Sequence, residues 1–355
     1  MSDRRSKSRS KSRSNPRSTK LRNFVRNFTN KNKNFTRQIK SFENRNYLNT
    51  NLNIKHYKNF GESEHDFQLR LLNEFKNKLQ DPTVHNKVHM LNRLLKLGFV
   101  PSVDDNSAIR FASNKGHFAV VDRLLQDSRV DPSADDNYAI RLASKNGHIA
   151  VVNRLLLDVT GRVDPSDDDN YAIRWASENG HFAVVDSLLQ DGRADPSAKD
   201  NFAIKWASDN GHIAVVDSLL RDRRVDPSAF DNYAIKWASV NGHIAVVDSL
   251  LRDRRVDPSA FDNYAIRMAS QFGHIAVVER LLREPKNRVD PSDDNNYAIL
   301  IASHKGHIAV VNSLLRDPRV DPSDNDNSAI RFASQEGHMD VVALLKQDPR
   351  VAALL

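Results

Sequence analysis

The dipeptide Gly-His recurs along the chain, and its spacing constrains the fold more than any other feature of the sequence. It begins at eight positions: Gly116, Gly147, Gly180, Gly211, Gly242, Gly273, Gly306 and Gly337. The intervals are 31, 33, 31, 31, 31, 33 and 31 residues. Self-similarity at a period of this size indicates stacked units that bury a shared apolar core. The chain is therefore predicted to be a solenoid.

One unit, residues 225–255, illustrates what is repeated. Asp231-Asn232 is typical of a helix N-cap, and apolar residues follow it at helical spacing. Gly242 predicts the end of this first helix, because glycine adopts a left-handed backbone without steric cost. Residues 244–251 have the pattern of a second amphipathic helix. Each unit is therefore expected to be a helix, a tight turn, a second helix and a loop containing proline.

In seven of the eight units the second half follows the pattern Ala-Ser-x-x-Gly-His-x-x-Val-Val-x-x-Leu-Leu. On these residues the chain resembles the ankyrin repeat family over roughly residues 101–350. The first half departs from that family, because Tyr-Ala-Ile-Lys or Tyr-Ala-Ile-Arg stands where Thr-Pro-Leu-His is usual. The sequence Asp-Asn-Tyr-Ala-Ile-Arg, found in the first half of the unit in this chain, resembles ankyrin proteins of giant DNA viruses and some protists. The resemblance implies an all-α, ankyrin-type solenoid of about eight repeats over residues 101–355, with short loops.

Positive charge is concentrated before the repeats. Residues 1–60 hold 17 Lys and Arg against Asp3 and Glu43, whereas the remainder holds 36 basic and 43 acidic residues. Residues 1–63, rich in Arg, Ser and Asn, are expected to be a disordered basic arm. Residues 64–100 are expected to be a degenerate helix pair that caps the stack, and a separate partner-binding helix pair is the alternative.

The start of the arm alternates basic residues with serine, which provides closely spaced cations for phosphate groups. The candidate nucleic-acid contacts are Arg4, Arg5, Lys7, Arg9, Lys11 and Arg13. This stretch resembles the arginine-serine tails of nuclear RNA-processing proteins. A nuclear import signal and a solvated tail without a specific partner are the alternatives.

Stacking places equivalent residues of successive units in columns. The histidines of the Gly-His pairs should lie about a helix diameter apart, too far to share one metal ion, so we expect each to hydrogen bond locally at its turn. Another column, one residue after the Arg or Lys of each Ala-Ile-Arg or Ala-Ile-Lys sequence, holds large apolar residues. These residues are expected to form core between the units: Phe111, Leu142, Trp175, Trp206, Trp237 and Met268.

Two charged columns lie five residues apart. The basic column is Arg110, Arg141, Arg174, Lys205, Lys236, Arg267 and Arg331, and the acidic column is Asp105, Asp136, Asp169, Asp200, Asp231, Asp262 and Asp326. Each is interrupted once, in the same unit, by Leu300 and Asn295. We therefore expect the two columns to neutralise each other, and a cationic stripe for nucleic acid or phosphopeptide is the alternative.

Positions that vary between units are candidates for partner contact. In the ankyrin family the residues just before Gly-His and the loop tips usually make such contacts. The candidate partner-binding residues are Phe230, Phe261, Val240, Phe272, Asn241 and Gln271. Exposed apolar residues rimmed by polar ones favour an interface. The alternative is that the two loop phenylalanines pack on the next loop.

Other function classes lack sequence support. The chain has no cysteine, no apolar run of about 18 residues and no Gly-rich phosphate loop. We expect no catalysis, cofactor, metal site, small-molecule substrate or membrane span, and a cytoplasmic or nuclear location, in a host cell if the protein is viral. The predicted function is binding of a partner protein on the concave face of the solenoid. The alternative is a nuclear protein whose arm binds nucleic acid while the repeats recruit a partner.

Overall fold

The computed structural model describes residues 58–59, 61–158, 160–285 and 287–353 of this 355-residue chain. The chain divides at Tyr57, and the described residues belong to the second unit of that division. The prediction of a disordered arm, and the candidate contacts from Arg4 to Arg13, therefore lie outside the described residues.

Nineteen helices and no strands occur in this described part of the chain. Two helices precede the repeats: α1 (Glu64–Gln80) and α2 (Lys87–Lys96). The first helices of the eight repeats are α3 (Val103–Asn114), α5 (Ala134–Lys145), α7 (Asp167–Glu178), α9 (Ala198–Asp209), α11 (Ala229–Val240), α13 (Ala260–Gln271), α15 (Asp293–His304) and α17 (Asp324–Gln335). The second helices are α4 (Phe118–Leu124), α6 (Ile149–Leu156), α8 (Phe182–Asp191), α10 (Ile213–Leu220), α12 (Ile244–Leu251), α14 (Ile275–Leu282), α16 (Ile308–Leu315) and α18 (Met339–Leu345). A short helix, α19 (Pro349–Ala352), follows.

The helices form two layers with a shared apolar seam. Each first helix packs on the first helices of its neighbours, and each second helix packs on the neighbouring second helices. Within one unit, Ala234, Ile235 and Ala238 of α11 and Val247 and Leu250 of α12 are buried. Full burial of one such aliphatic side chain contributes about 1.5–3 kcal/mol. The prediction of an all-α solenoid of helix-turn-helix units is confirmed.

Hydrogen bonds, rather than a β-hairpin, fix the loops between the units. In the loop after α12, Arg255 forms an ion pair with Asp253 and donates from Nη1 to the Val225 carbonyl oxygen of the preceding loop, at 2.7 Å. Equivalent bonds to the preceding loop are made by Arg162, Arg193, Arg224, Arg288, Arg319 and Arg350. Each loop is thus tied to the one before it.

Three consecutive residues after the first residue of each first helix have left-handed backbone. In α11 these are Phe230, Asp231 and Asn232, with φ of 56°, 55° and 59°. The Asn232 side-chain oxygen accepts the backbone N–H of Asp257 in the next loop, at 2.7 Å. The predicted N-cap at Asp231-Asn232 is therefore wrong, because the asparagine oxygen faces the next unit instead of the first turn of its own helix. Asparagine and aspartate are the non-glycine residues that tolerate this backbone best.

Both ends of the described stack are covered. On α1, Phe67, Leu71 and Phe75 are buried, and α1 and α2 pack on the first and second helices of the first repeat. At the other end Val351 of α19 is buried and its carbonyl oxygen accepts from Asn327 at 3.3 Å. The apolar C-terminal segment thus folds back on the last repeat as far as residue 353.

Candidate partner-binding face

One stripe of each first helix is turned away from the second helices. After the left-handed residues of α7, the half-buried residues are Tyr171, Arg174, Trp175 and Glu178, while the alanines and the isoleucine between them are buried. The spacing of i, i+3, i+4 and i+7 places these four side chains on one side of the helix. We call the surface formed by these positions in all the first helices the first-helix face.

Aromatic rings contact one another across three helices of this face. Ring centroids are separated by 5.4 Å for Tyr171–Trp175, 6.0 Å for Trp175–Phe202, 5.7 Å for Phe202–Trp206, 6.1 Å for Trp206–Tyr233 and 5.7 Å for Tyr233–Trp237. These separations suit tilted ring packing. We call these six residues the aromatic stripe.

The position of the tryptophans corrects a sequence-based expectation. Trp175, Trp206 and Trp237 were expected to be core between the units, but all three are half-buried. The reason is that alanine and isoleucine occupy the side of each first helix that meets the second helix. A Tyr or Phe four residues before each of these tryptophans was the sequence signal for a surface stripe, since i and i+4 share a helix face.

Phe230 and Phe261 are strongly exposed at one end of the first-helix face. Their exposed fractions are 65% and 59%, and both have left-handed backbone, with φ of 56° and 58°. Neither makes a ring contact with the following loop among the described residues, and Phe230 contacts Tyr233 of its own helix at 6.1 Å. Lys205 of the preceding unit approaches the Phe230 ring at 4.8 Å from its centroid, and Lys236 approaches the Phe261 ring at 4.0 Å.

The Gly-His pairs make a contact between units. His274 lies within 2.8 Å of the Val240 carbonyl oxygen through Nε2, which must donate because a carbonyl only accepts. Its ring also covers Gly242, where an added Cβ would lie 2.6 Å from the ring nitrogen Nδ1. The structural role expected for these histidines holds, but the bond crosses to the preceding unit and is not local. Among the described residues no group of three or more His, Cys, Asp or Glu could hold a metal ion.

Comparison with known families agrees with this architecture. The model of ankyrin repeats matches residues 109–200, 173–262 and 264–352, which together make up more than half of the chain. The chain belongs to the ankyrin repeat family. Ankyrin repeats are generally protein–protein interaction modules and are typically not enzymes. No curated protein matches the sequence. None of the described ankyrin helices is long and apolar enough to cross a membrane.

Residues of the basic column pair with the loop tip of the next ankyrin unit. We use loop tip for the residue just before the acidic column, such as Asp135 or Phe230. Three ion pairs have this form: Arg110–Asp135, Arg141–Asp168 and Arg267–Asp294. Among the described residues no ion pair joins the basic column to the acidic column. The expected neutralisation does not take the form of direct ion pairs, because Arg110, Arg141 and Arg267 reach the residue before the acidic column in the following unit. Asp200 and Asp231 act on Lys205 and Lys236 of their own units only as weaker nearby charges.

The choice of basic residue follows its loop-tip neighbour. Lysine stands where the neighbour is phenylalanine, as in the two contacts of Lys205 and Lys236. Arg174 faces a unit whose tip is Lys199, and there the lysine pairs back with Asp169 at 2.7 Å. In five cases the tip residue and the basic residue behind it thus form one contact.

Burial weakens the ionisation of several groups on the first-helix face. It lowers the pKa of Lys205 and of Lys236, against the smaller opposite effects of nearby aspartates. It raises the pKa of the Glu178 and Asp209 carboxyls. It also raises the pKa of Tyr233, with a further contribution from the Asp209 charge. The face therefore carries charges that have lost part of their hydration.

The six candidate partner-binding residues divide between the two ends of the first helices. Phe230 and Phe261 lie at the loop end, whereas Val240, Asn241, Gln271 and Phe272 lie at the Gly-His end. A helix rises about 1.5 Å per residue, so the two ends are roughly 15 Å apart. Phe272 is half exposed. On α11, Tyr233 and Trp237 of the aromatic stripe lie between the two groups.

Proposed function

We propose that this ankyrin domain binds a partner protein through the first-helix face of α7 to α13, the side expected to be concave. The observation that carries the proposal is the pair Phe230 and Phe261, two exposed aromatic residues in left-handed backbone. A non-glycine residue in this conformation costs about 1–2 kcal/mol. The same backbone occurs at this position in every repeat, where the other units have Asp, Asn or Lys. Phenylalanine is therefore the unusual choice at a strained position, which favours a role in binding.

The surroundings of the two phenylalanines support an interface. Exposed aromatic residues are common anchors of protein interfaces, and Phe230 contacts Tyr233 of the half-buried aromatic stripe at 6.1 Å. At the Gly-His end, Phe272 and Val240 offer a second apolar contact, and Asn241 and Gln271 offer amide groups. We propose that the partner spans the face from the loop end to the Gly-His end. The hydrogen bonds and ion pairs between the units favour a rigid, preorganised surface.

The experiment compares partner capture by the full chain and two variants. Proteins retained by the wild-type chain are identified and their binding is then measured with purified components. Phe230→Ala with Phe261→Ala is expected to weaken that binding by at least about tenfold, as loss of interface anchors does. Phe182→Ala is the matched control, because Phe182 is 41% exposed but lies on the second helix α8. Equal binding by the double variant and the control would contradict the proposal.

A second candidate function rests on the separation of charge along the chain. The 17 basic residues in residues 1–60, against two acidic ones, favour binding of nucleic acid by the arm while the repeats recruit a partner. The full chain and a variant lacking residues 1–57 are titrated with single-stranded RNA at about 50 and 200 mM salt. Affinity that falls steeply with salt and disappears with the arm supports this candidate. We propose a cytoplasmic or nuclear location for either function.

A further inference from the structure

Asp209 lies at the edge of a small frame of aromatic residues between α9 and α11. Trp206 is three residues before it on α9, so the two side chains are neighbours on one helix face. Trp206 contacts Tyr233 of α11 at 6.1 Å, and Tyr233 contacts Trp237 at 5.7 Å. Asn241, one turn further along the chain, closes the frame by donating to the Asp209 carboxylate at 2.7 Å.

The Asp209 carboxylate has no ion-pair partner in the described part of the chain. Its side chain is half-buried, and its one hydrogen bond comes from the neutral amide of Asn241. Burial raises its pKa, with opposing effects of Asn241 and His243. A carboxylate removed from water without a countercharge costs free energy, so its presence calls for a compensating role.

The first repeat makes the same hydrogen bond without a charge. There Asn146 donates to the side-chain oxygen of Asn114 at 2.7 Å, the distance found for Asn241 and Asp209. Both pairs also share a second bond, from the same amide to the backbone oxygen of the acceptor residue. A neutral asparagine therefore meets the structural need, and the charge of Asp209 is additional to it.

The second repeat indicates where a cation fits. Lys145 is the residue equivalent to Asp209 in that unit, and its ammonium nitrogen lies 4.6 Å from the ring centroid of Trp175. Trp175 stands to Lys145 as Trp237 stands to Asp209. The surface between two first helices thus accommodates an ammonium group against an indole ring, which is a favourable cation–π arrangement.

We propose that Asp209, Trp206, Tyr233 and Trp237 form a site for a cationic side chain, arginine or lysine, of the partner protein. The carboxylate provides the countercharge, and the indole rings provide faces on which a guanidinium or ammonium group packs. This inference rests on the proposed function and adds the chemistry of the partner. In the next unit Val240 and Met268 replace the carboxylate and the indole. In the preceding unit Glu178 occupies the position of Asp209, but the charge of Lys145 already acts on it. Of the two carboxylates, Asp209 is therefore the one that lacks a Lys or Arg neighbour in the described part of the chain.

The test labels the full chain with 5-fluorotryptophan, because its three tryptophans then give three fluorine signals. The probes are N-acetyl-L-arginine amide and N-acetyl-L-lysine amide, with N-acetyl-L-citrulline amide as the neutral analogue of the arginine probe. One or both cationic amides are expected to shift the Trp206 and Trp237 signals in a saturable way and to leave Trp175 nearly unchanged. The citrulline amide should bind at least about tenfold more weakly than the arginine amide.

Asp209→Asn is the matched variant, and Glu178→Gln is its control. Asp209→Asn should reduce affinity for the cationic amide about tenfold without lowering the melting temperature, because Asn114 shows that an amide fits. Glu178→Gln, one unit away from Asp209 and Trp237, should leave the Trp237 shift unchanged. Equal binding of the arginine and citrulline amides, or wild-type affinity in Asp209→Asn, would overturn the proposal.

The two proposals can fail separately. Partner binding that survives Asp209→Asn but is lost in Phe230→Ala with Phe261→Ala contradicts the cation site and supports the proposed function. Amide binding that requires Asp209, together with full partner capture by the double phenylalanine variant, supports the cation site and contradicts the proposed anchors.

Discussion

The ammonium nitrogen of Lys236 lies 4.0 Å from the centre of the Phe261 ring, and the two residues belong to successive ankyrin units. The same relationship joins Lys205 to Phe230 one unit earlier. Where the loop tip is aspartate, as at Asp294, the basic residue behind it is an arginine and the contact is an ion pair. A residue of the basic column therefore contacts the loop-tip residue of the following unit, through a cation–π contact or an ion pair.

We expect Lys236 to be coupled to Phe261 more strongly than to Asp231. A double-mutant cycle with Lys236→Met and Phe261→Ala should give a coupling free energy of about 0.5–1 kcal/mol in urea unfolding, as for a partly exposed cation–π contact. The cycle of Lys236→Met with Asp231→Asn should give a smaller value, because no ion pair joins these residues. A larger coupling to Asp231 would contradict the assignment.

Substitution of two Gly-His glycines should separate the free-energy cost of a Cβ at positive φ from the cost of losing the histidine contact. Gly242→Ala and Gly337→Ala both place a Cβ at positive φ, 73° and 79°, which costs about 1 kcal/mol. Only Gly242 is covered by a histidine ring, that of His274, whereas nothing lies within 4 Å of the Gly337 position. Gly242→Ala should therefore cost roughly 1–3 kcal/mol more in unfolding free energy, through loss of the His274 hydrogen bond and packing. Equal costs would mean that the Gly-His contact between units contributes nothing.

Asp209→Asn should stabilise the fold at neutral pH. Burial raises the pKa of Asp209 above its ordinary 3.8, so the folded state binds the proton more tightly than the unfolded state. The charge therefore destabilises the fold well above pH 3.8, and this cost disappears as the pH falls. The variant should gain a few tenths to about 1 kcal/mol at pH 7 and less near pH 3.5 in urea unfolding. A loss of stability at pH 7 would contradict the argument.

Stability should also depend on histidine ionisation. Burial lowers the pKa of His181 below its ordinary 6.5, and the neighbouring His148 and His212 lower it further, against the bond to the Lys145 carbonyl oxygen. The unfolded state then binds more protons just below pH 6.5, so stability declines as the pH falls through this range. NMR titration should give a pKa below 6.5 for His181, and His181→Gln should reduce the decline in melting temperature between about pH 7 and 5. A measured pKa above 6.5 for His181 would mean that its protonation stabilises the fold, which would contradict the expected loss of stability at lower pH.

The repeat architecture was predictable because its signals are local. Glycine at the turn and apolar residues at helical spacing lie within a window of one unit, and the helices Ala229–Val240 and Ile244–Leu251 have the expected order. The tryptophans were assigned to the core because hydrophobicity alone does not distinguish Trp237 from Ile235. Which side of a first helix is buried depends on the small residues that allow the second helix to approach.

The contacts between units were not predictable from local spacing. Asp231-Asn232 has the composition of an N-cap, but Asn232 bonds to Asp257, 25 residues later. Arg267 likewise reaches Asp294 and not the acidic residue five positions before it. In both cases the partner lies one repeat away, so only the stacked structure brings the residues together.

Solvent footprinting of the complex tests the central claim most directly. Hydroxyl-radical modification of Phe230, Phe261 and Phe182 is measured in the free full chain and with the captured partner bound. Binding on the first-helix face predicts several-fold protection of Phe230 and Phe261, with Phe182 on α8 as reactive as before. Protection of Phe182, with Phe230 and Phe261 unchanged, would place the partner on the second helices and contradict the account.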